Sequence, residues 1–161
     1  MELGVEELRA LARKYRALVG LRARRDGGGK DGGGDAGDVT LRLRALAGEF
    51  PGCLRELDTL GAAELARRAR VVEDAAGGGG AREPWMAWIW DYHQLMRAAL
   101  ALRRGEPAGV VDQTFVSEVT APPEGRISIV VLRRLAGTHG RPAKEIAAAL
   151  FPVRRPSPYE L

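Results

Sequence analysis

The chain has 161 residues, of which 45% are hydrophobic, and its formal net charge is +4 at pH 7. This length supplies one hydrophobic core of ordinary domain size, and no apolar run approaches the roughly 18 residues of a membrane-spanning helix. The single cysteine, Cys53, excludes an internal disulfide, and the N-terminus shows no secretory signal. We therefore expect an intracellular protein, either cytoplasmic or nuclear.

The first predicted element is a basic amphipathic helix over residues 1–25. Its apolar residues recur at three- and four-residue spacing, and its acidic residues precede its basic ones, an order that suits the helix dipole. This pattern is typical of the first helix of a bundle, and it also fits a helix that faces calmodulin, a membrane surface or nucleic acid. The candidate partner-binding residues are basic side chains of this helix: Arg9, Arg13, Lys14, Arg16 and Arg22.

Residues 26–38 are rich in glycine and aspartate, which predicts a flexible linker. Lys30 in this segment is followed by Asp31 rather than by Ser or Thr, so the phosphate-loop pattern is not met. Residues 39–46 alternate like a strand but also fit one face of a helix. We favour the helix, because no second strand is available for pairing.

The next predicted elements follow a corner at Phe50-Pro51-Gly52, where the proline and the glycine interrupt a helix. A short helix begins at Cys53, which we interpret as a small buried hydrophobe. Asp58 or Thr59 is the candidate N-cap of a longer helix that ends before the glycine-rich loop at residues 77–80.

The stretch 84–104 contains all three tryptophans and predicts a long helix that starts at Pro84 and stops at Gly105. Its aromatic residues indicate either a core or a platform on which bases stack. We favour a core, because stacking platforms normally carry interleaved basic residues, and none lies between Trp85 and Tyr92. We therefore expect this helix at the centre of the fold.

The sequence predicts no catalytic residues, no metal site and no cofactor. Asp91 and His93 are two positions apart, so they point about 200° apart on a helix and cannot form a pair. We expect His93 to be partly buried or hydrogen-bonded, and we expect His139 to cap the C-terminus of a helix. His93, His139 and Cys53 lie far apart in the sequence and do not show the paired spacing of zinc ligands.

Three further helices are predicted: one near Asp112, one over residues 127–135 that stops at 138–140, and one that begins at Pro142. The sequence LRRLAGTHGRPAKEIAAAL resembles the first part of a helix-turn-helix motif. Prolines in residues 151–158 prevent a recognition helix from following. The tail at residues 153–161 is rich in proline and arginine and suits either a disordered end or an extended peptide for a partner.

The segments EFPGCLRELDTL, PWMAWIWDYHQLMRAALALRR and GRISIVVLRRLAGTHGRPAKEIAAALFP resemble small plant proteins of unknown function. This resemblance covers under half of the chain and implies no activity and no site residues.

The predicted fold is all-α: an irregular bundle of about five to seven helices around the central tryptophan-rich helix, with the helical domain at residues 39–152. The leading functional hypothesis is a non-enzymatic regulatory or adaptor protein that binds another macromolecule, most simply another protein, through a helical surface. The alternative is a basic nucleic-acid-binding regulator with a degenerate helix-turn-helix-like pair at its C-terminal end. The arginine pairs are scattered along the chain, so they permit an acidic partner without requiring one.

Overall fold

The computed structural model describes residues 3–27, 35–105 and 129–150 of the chain. These residues form seven α-helices and no β-strand, which confirms the predicted all-α class. The helices are α1 (Val5–Gly27), α2 (Asp35–Glu49), α3 (Cys53–Thr59), α4 (Ala62–Ala76), α5 (Pro84–Arg103), α6 (Ile129–His139) and α7 (Ala143–Leu150).

The N-terminal helix α1 lies against α2, α3, α4 and α5. Its closest partner is α4, and the two helices are antiparallel. Leu60, just before α4, accepts a hydrogen bond from Arg22, whereas Arg82, beyond the end of α4, donates to the carbonyl of Leu3. The inner face of α1 is completely buried, at Leu8, Leu11, Tyr15 and Leu18.

The expected central position of the tryptophan-rich helix is not confirmed. This helix, α5, packs mainly against α6 and α7 and touches α1 less extensively. The buried residues Leu8, Leu11, Tyr15 and Leu18 instead place α1 in the core, in agreement with the first helix of a bundle, although Val5 at its start is 46% exposed.

Helix α2 occupies the segment whose secondary structure was ambiguous, and the preference for a helix is confirmed. Helix α1 continues to Gly27 and α2 begins at Asp35, so both ends of the predicted linker 26–38 are helical. Residues 28–34 lie outside the described part of the chain. None of the described side chains of α2 is fully buried, and Leu41 is 65% exposed.

The corner between α2 and α3 is present, and it depends on Gly52. This residue has a φ of 93°, in the left-handed region that residues with a Cβ rarely adopt. The predicted N-cap of α4 at Asp58 or Thr59 is wrong, because Gly61 holds that position. Thr59 lies within α3 and donates its hydroxyl to the carbonyl of Arg55 at 2.7 Å.

Helix α5 starts at Pro84, as predicted, and two of its tryptophans belong to the core. Trp85 and Trp88 are each 7% exposed, which supports the core interpretation over an exposed stacking platform. Trp85 packs edge-on against the ring of Tyr15, with 5.8 Å between the ring centroids. The tryptophan helix is therefore fixed to α1 by an aromatic contact.

The last two described helices, α6 and α7, pack against each other and against α5. Gly140, with a φ of 62°, ends α6, and the amide of Arg141 donates back to the carbonyl of Ala136. The helix predicted near Asp112 and the tail at residues 153–161 lie outside the described residues. Within the described residues, no helix combines the length and apolar character needed to cross a membrane.

Candidate functional site

Ionisable side chains gather inside the bundle, where α1, α3, α4 and α5 meet. We call this group the buried ionic cluster. Its members are at most 4% exposed, and they are Lys14, Tyr15, Glu56, Arg68 and His93. Charged side chains are rarely buried unless they are paired, and each member here has a polar partner within the cluster.

The carboxylate of Glu56 lies at the centre of the buried ionic cluster. One of its oxygens, Oε2, lies 2.5 Å from Nζ of Lys14. The other oxygen, Oε1, accepts a hydrogen bond from the hydroxyl of Tyr15 at 2.7 Å. Arg68 donates to that hydroxyl at 3.3 Å, and its Nη1 lies 3.9 Å from Oε1 of Glu56. Two consecutive residues of α1 therefore hold one carboxylate of α3.

Arg68 extends the cluster to the C-terminal end of the described chain. Its Nη2 donates to the carbonyl of Ala149 at 2.6 Å, and its Nε donates to Glu64 at 3.1 Å. The last four carbonyls of a helix have no partner inside the helix, so this hydrogen bond satisfies one at the end of α7. The guanidinium also lies over the ring of Trp85, 4.8 Å from its centroid.

His93 meets Lys14 through a single hydrogen bond. Nε2 of the ring lies 2.8 Å from Nζ of Lys14. A lysine ammonium can only donate, so Nε2 accepts and the proton of the neutral ring is on Nδ1. Burial and then the positive charge of Lys14 hold the pKa of His93 well below its usual value, while the carbonyl of Pro51 acts in the opposite direction. The imidazole is therefore neutral.

Tyr15 keeps its proton for related reasons. Burial, and next the negative charge of Glu56, raise the pKa of the Tyr15 hydroxyl well above its usual value, and Arg68 opposes this shift. The phenol therefore remains a donor to Glu56. With these protonation states, the buried ionic cluster orients α1, α3, α4 and α5, and its side chains are almost inaccessible to solvent.

An open groove of about 760 Å³ runs along the opposite, outer side of α1. We call it the α1/α2 groove, because residues of these two helices form it together with Glu73 of α4. Its floor consists of small and apolar residues: Ala12, Ala17, Gly20, Leu21, Ala45 and Leu46. Its polar lining residues are Arg13, Arg16, Arg24, Arg42, Glu49 and Glu73.

Ion pairs hold most of the arginines of the α1/α2 groove in place. Nε of Arg16 donates to Oε1 of Glu73 at 2.8 Å. Arg24 and Arg42 both donate to the carboxylate of Asp38, at 2.8 and 3.2 Å. One carboxylate therefore serves two guanidinium groups. Arg13 is exposed and makes no ion pair with a residue in the described part of the chain.

The structure separates the five predicted partner-binding residues. Arg13 and Arg16 line the α1/α2 groove, and Arg9 is exposed on α1 but pairs with Glu6 outside the groove. Lys14 is a correction: its side chain is fully buried against Glu56, so it cannot belong to an exposed contact surface.

Arg22 is partly buried and does not line the α1/α2 groove. Its Nη1 donates to the carbonyls of Leu57 and Leu60, at 2.7 and 3.2 Å, and its Nε donates to Asp26 at 2.9 Å. The side chain therefore satisfies carbonyl groups at the end of α3.

The other residues considered from sequence have structural partners. Nε2 of His139, at the end of α6, lies 2.7 Å from Oδ2 of Asp91 on α5, whereas His93 faces the buried ionic cluster. Asp91 and His93 are thus separated, as predicted. Cys53 is buried, and its thiol donates to the carbonyl of Phe50 at 2.8 Å. Residues 3–27, 35–105 and 129–150 contain no group of three side chains arranged to bind a metal.

Comparison of the chain with protein-family models, with curated proteins and with solved structures finds no match. Its function must therefore be inferred from its own residues.

Proposed function

We propose that this chain is a non-enzymatic regulatory or adaptor protein that binds another protein through a helical surface. The observation that carries the proposal is the α1/α2 groove, where an apolar floor is bordered by arginines on two helices. Grooves between helices commonly bind an amphipathic helix of a partner. The incomplete burial of α2 adds support, because its apolar side chains are only partly covered by α1 and α3.

The position of the titratable groups also favours a binding role. Enzymes usually place groups with shifted pKa values in a cleft that substrate can reach. Here the pKa values of Tyr15 and His93 are strongly shifted, but both side chains lie in the buried ionic cluster. The groove itself is bordered by arginine and glutamate, which suit recognition of a charged partner.

The test is an affinity purification with the immobilised full-length chain and extract of the native cells. Parallel samples are treated with nuclease or washed at raised salt. We expect protein partners that survive both treatments. Recovery of nucleic acid, lost as the salt concentration rises, would instead establish the alternative of a nucleic-acid-binding regulator, because phosphate contacts weaken steeply with salt.

A matched pair of variants makes the purification specific. Arg13→Glu reverses an exposed charge on α1, whereas Arg70→Glu does the same at an exposed position of α4 that does not line the groove. Loss of the partner with Arg13→Glu alone supports binding through this surface of α1. Partner recovery that neither substitution changes means that the helical contact lies elsewhere.

A further inference from the structure

We propose that the α1/α2 groove binds one acidic amphipathic helix of the partner protein. This inference rests on the proposed function and specifies both the surface and the chemistry of the partner. Three properties of the groove support it: its lining residues recur at helical spacing, its apolar floor is partly uncovered, and its arginines outnumber its glutamates.

The spacing of the lining residues matches the length and shape of a helix. On α1 the lining extends from Ala12 to Arg24, which corresponds to about 18 Å of helix at 1.5 Å per residue. On α2 the lining residues are Arg42, Ala45, Leu46 and Glu49, one continuous helical face. Two such faces side by side form a trough into which a third helix fits.

The floor of the groove leaves apolar surface partly uncovered. Leu46 is only half-buried, and Ala17 and Ala45 are exposed. At Gly20 an added Cβ would meet no atom within 4 Å, so the fold itself does not require glycine there. Glycine inside a helix is destabilising relative to alanine, but it allows a neighbouring helix to approach closely. Burial of this floor would supply the apolar part of the binding energy.

The charge of the groove selects an acidic partner. Four arginines and two glutamates line it, and Asp38, which pairs with two of the arginines, reduces the formal excess to one positive charge. Arg24 and Arg42 share the carboxylate of Asp38, and Arg13 has no ion pair within the described residues. Aspartate or glutamate on both flanks of a bound helix would pair with these guanidinium groups, for which bidentate carboxylate contacts are favourable.

The floor of the groove favours this occupant over nucleic acid, because it contains no aromatic side chain on which a base could stack. An acidic helix can place its own carboxylates beside the arginines and its apolar stripe on the floor.

The test uses displayed peptide libraries of about 18 residues, long enough to span the groove. The acidic library has fixed apolar positions at helical spacing, with aspartate or glutamate on both flanks and variation elsewhere. A second library has lysine on the flanks, and a third has the acidic composition with the apolar positions scrambled. All three are selected on the full-length chain, and the affinity of the best peptide is measured by fluorescence anisotropy.

Two glycine variants provide a matched comparison. Gly20→Trp fills the floor of the groove, whereas Gly48→Trp adds the same side chain to α2 at an exposed position outside the groove lining. Neither added Cβ would meet an atom within 4 Å, so neither substitution is blocked at its Cβ. Circular dichroism and thermal unfolding verify that both variants fold. We expect the acidic peptide to bind Gly20→Trp at least about tenfold more weakly, and Gly48→Trp like the wild type.

Arg13→Glu tests the electrostatic part separately. It should lower the affinity for the acidic peptide by about tenfold and raise the affinity for peptides of the lysine-flanked library. Equal selection from the acidic and lysine-flanked libraries, or from the scrambled library, overturns the inference. So does the absence of any selected peptide, or a wild-type dimer that Gly20→Trp converts to a monomer, because a second copy of the chain would then occupy the groove.

The affinity purification distinguishes failure of this inference from failure of the proposed function. If Gly20→Trp and the wild type capture the same protein partner, the adaptor role stands and the groove assignment is wrong. If neither captures a protein, the proposed function is wrong. Capture by the wild type and by Gly48→Trp, but not by Gly20→Trp, supports both.

Discussion

The ammonium of Lys14 lies 2.5 Å from the carboxylate of Glu56, and the two side chains are 0% and 2% exposed. The pair joins α1 to α3 in the interior of the protein. Attraction between buried charges offsets the cost of removing them from water only when both partners are present and their remaining polar atoms are bonded. Tyr15 and His93 provide those additional bonds.

Lys14→Met should lower the free energy of unfolding by about 3–5 kcal/mol, because it removes the partner 2.5 Å from the buried carboxylate of Glu56 and leaves the more distant Arg68, at 3.9 Å, as its cationic partner. The same substitution removes the donor to Nε2 of His93. Urea denaturation monitored by circular dichroism measures the loss.

The double variant Lys14→Met/Glu56→Gln is the control for this interpretation. It removes both charges but leaves an acceptor for Tyr15, so it should be less destabilised than Lys14→Met alone. The single variant Glu56→Gln completes the comparison. If the losses of stability in Lys14→Met and in Glu56→Gln add up to the loss in the double variant, the two side chains are not coupled and the buried pair does not act as a unit.

His93 should make the protein less stable as the pH falls below about 6.5, the usual histidine value. The low pKa of His93 in the folded state means that only the unfolded chain takes up this proton at first. The free energy of unfolding therefore decreases from about pH 7 toward pH 5. In His93→Gln this part of the slope should disappear. Urea titrations across that range give the comparison, and parallel curves for the two proteins would contradict the prediction.

Tyr15 should have the opposite effect at alkaline pH. Its raised pKa means that the folded protein retains a proton that the unfolded chain releases above about pH 10. Stability is thus fully present below that pH and falls as the pH rises further. Tyr15→Phe loses the hydrogen bond to Glu56 at every pH but should lack this alkaline decrease. Unfolding measured between about pH 8 and 11 tests the difference in slope, and an equal decrease in both proteins would exclude Tyr15 as its source.

Local sequence patterns predicted much of the fold, because helices begin and end at chemically distinct residues. Pro84 starts α5 and Gly140 ends α6. Neither residue needs a distant partner to act. The N-cap of α4 could not be assigned in this way, because Asp58 pairs with Arg25 across the fold, and Gly61 takes the capping position.

The candidate site was only partly predictable, because its residues come from different helices. Arg13, Arg16 and Arg24 lie within about 80° on the helical projection of α1, whereas Lys14 is about 100° and Arg22 about 180° from Arg13. These angles would have favoured Arg24, in place of Lys14 and Arg22, as a third contact residue beside Arg13 and Arg16. The contribution of α2 depends on how that helix packs beside α1, which no local pattern specifies.

The buried ionic cluster was also beyond local reasoning. Burial of Lys14 depends on Glu56 and His93, which are distant in sequence and carry no motif that links them. The position of His93 beside the apolar stripe of α5 predicts that this residue is partly buried or hydrogen-bonded. It does not predict that Lys14 is the partner.

Gly20→Ala should stabilise the protein by about 0.5–1 kcal/mol, because the residue lies in the interior of α1 and alanine is the better helix former. An added Cβ meets no atom within 4 Å at this position. The matched control is Gly140→Ala, where the Cβ also meets no atom within 4 Å but φ is 62°. That change should destabilise by about 1 kcal/mol or more, because the left-handed conformation is unfavourable for alanine. Thermal unfolding separates the two variants by the sign of the change in Tm, and a lower Tm for Gly20→Ala would show that the floor of the α1/α2 groove needs glycine for the fold itself.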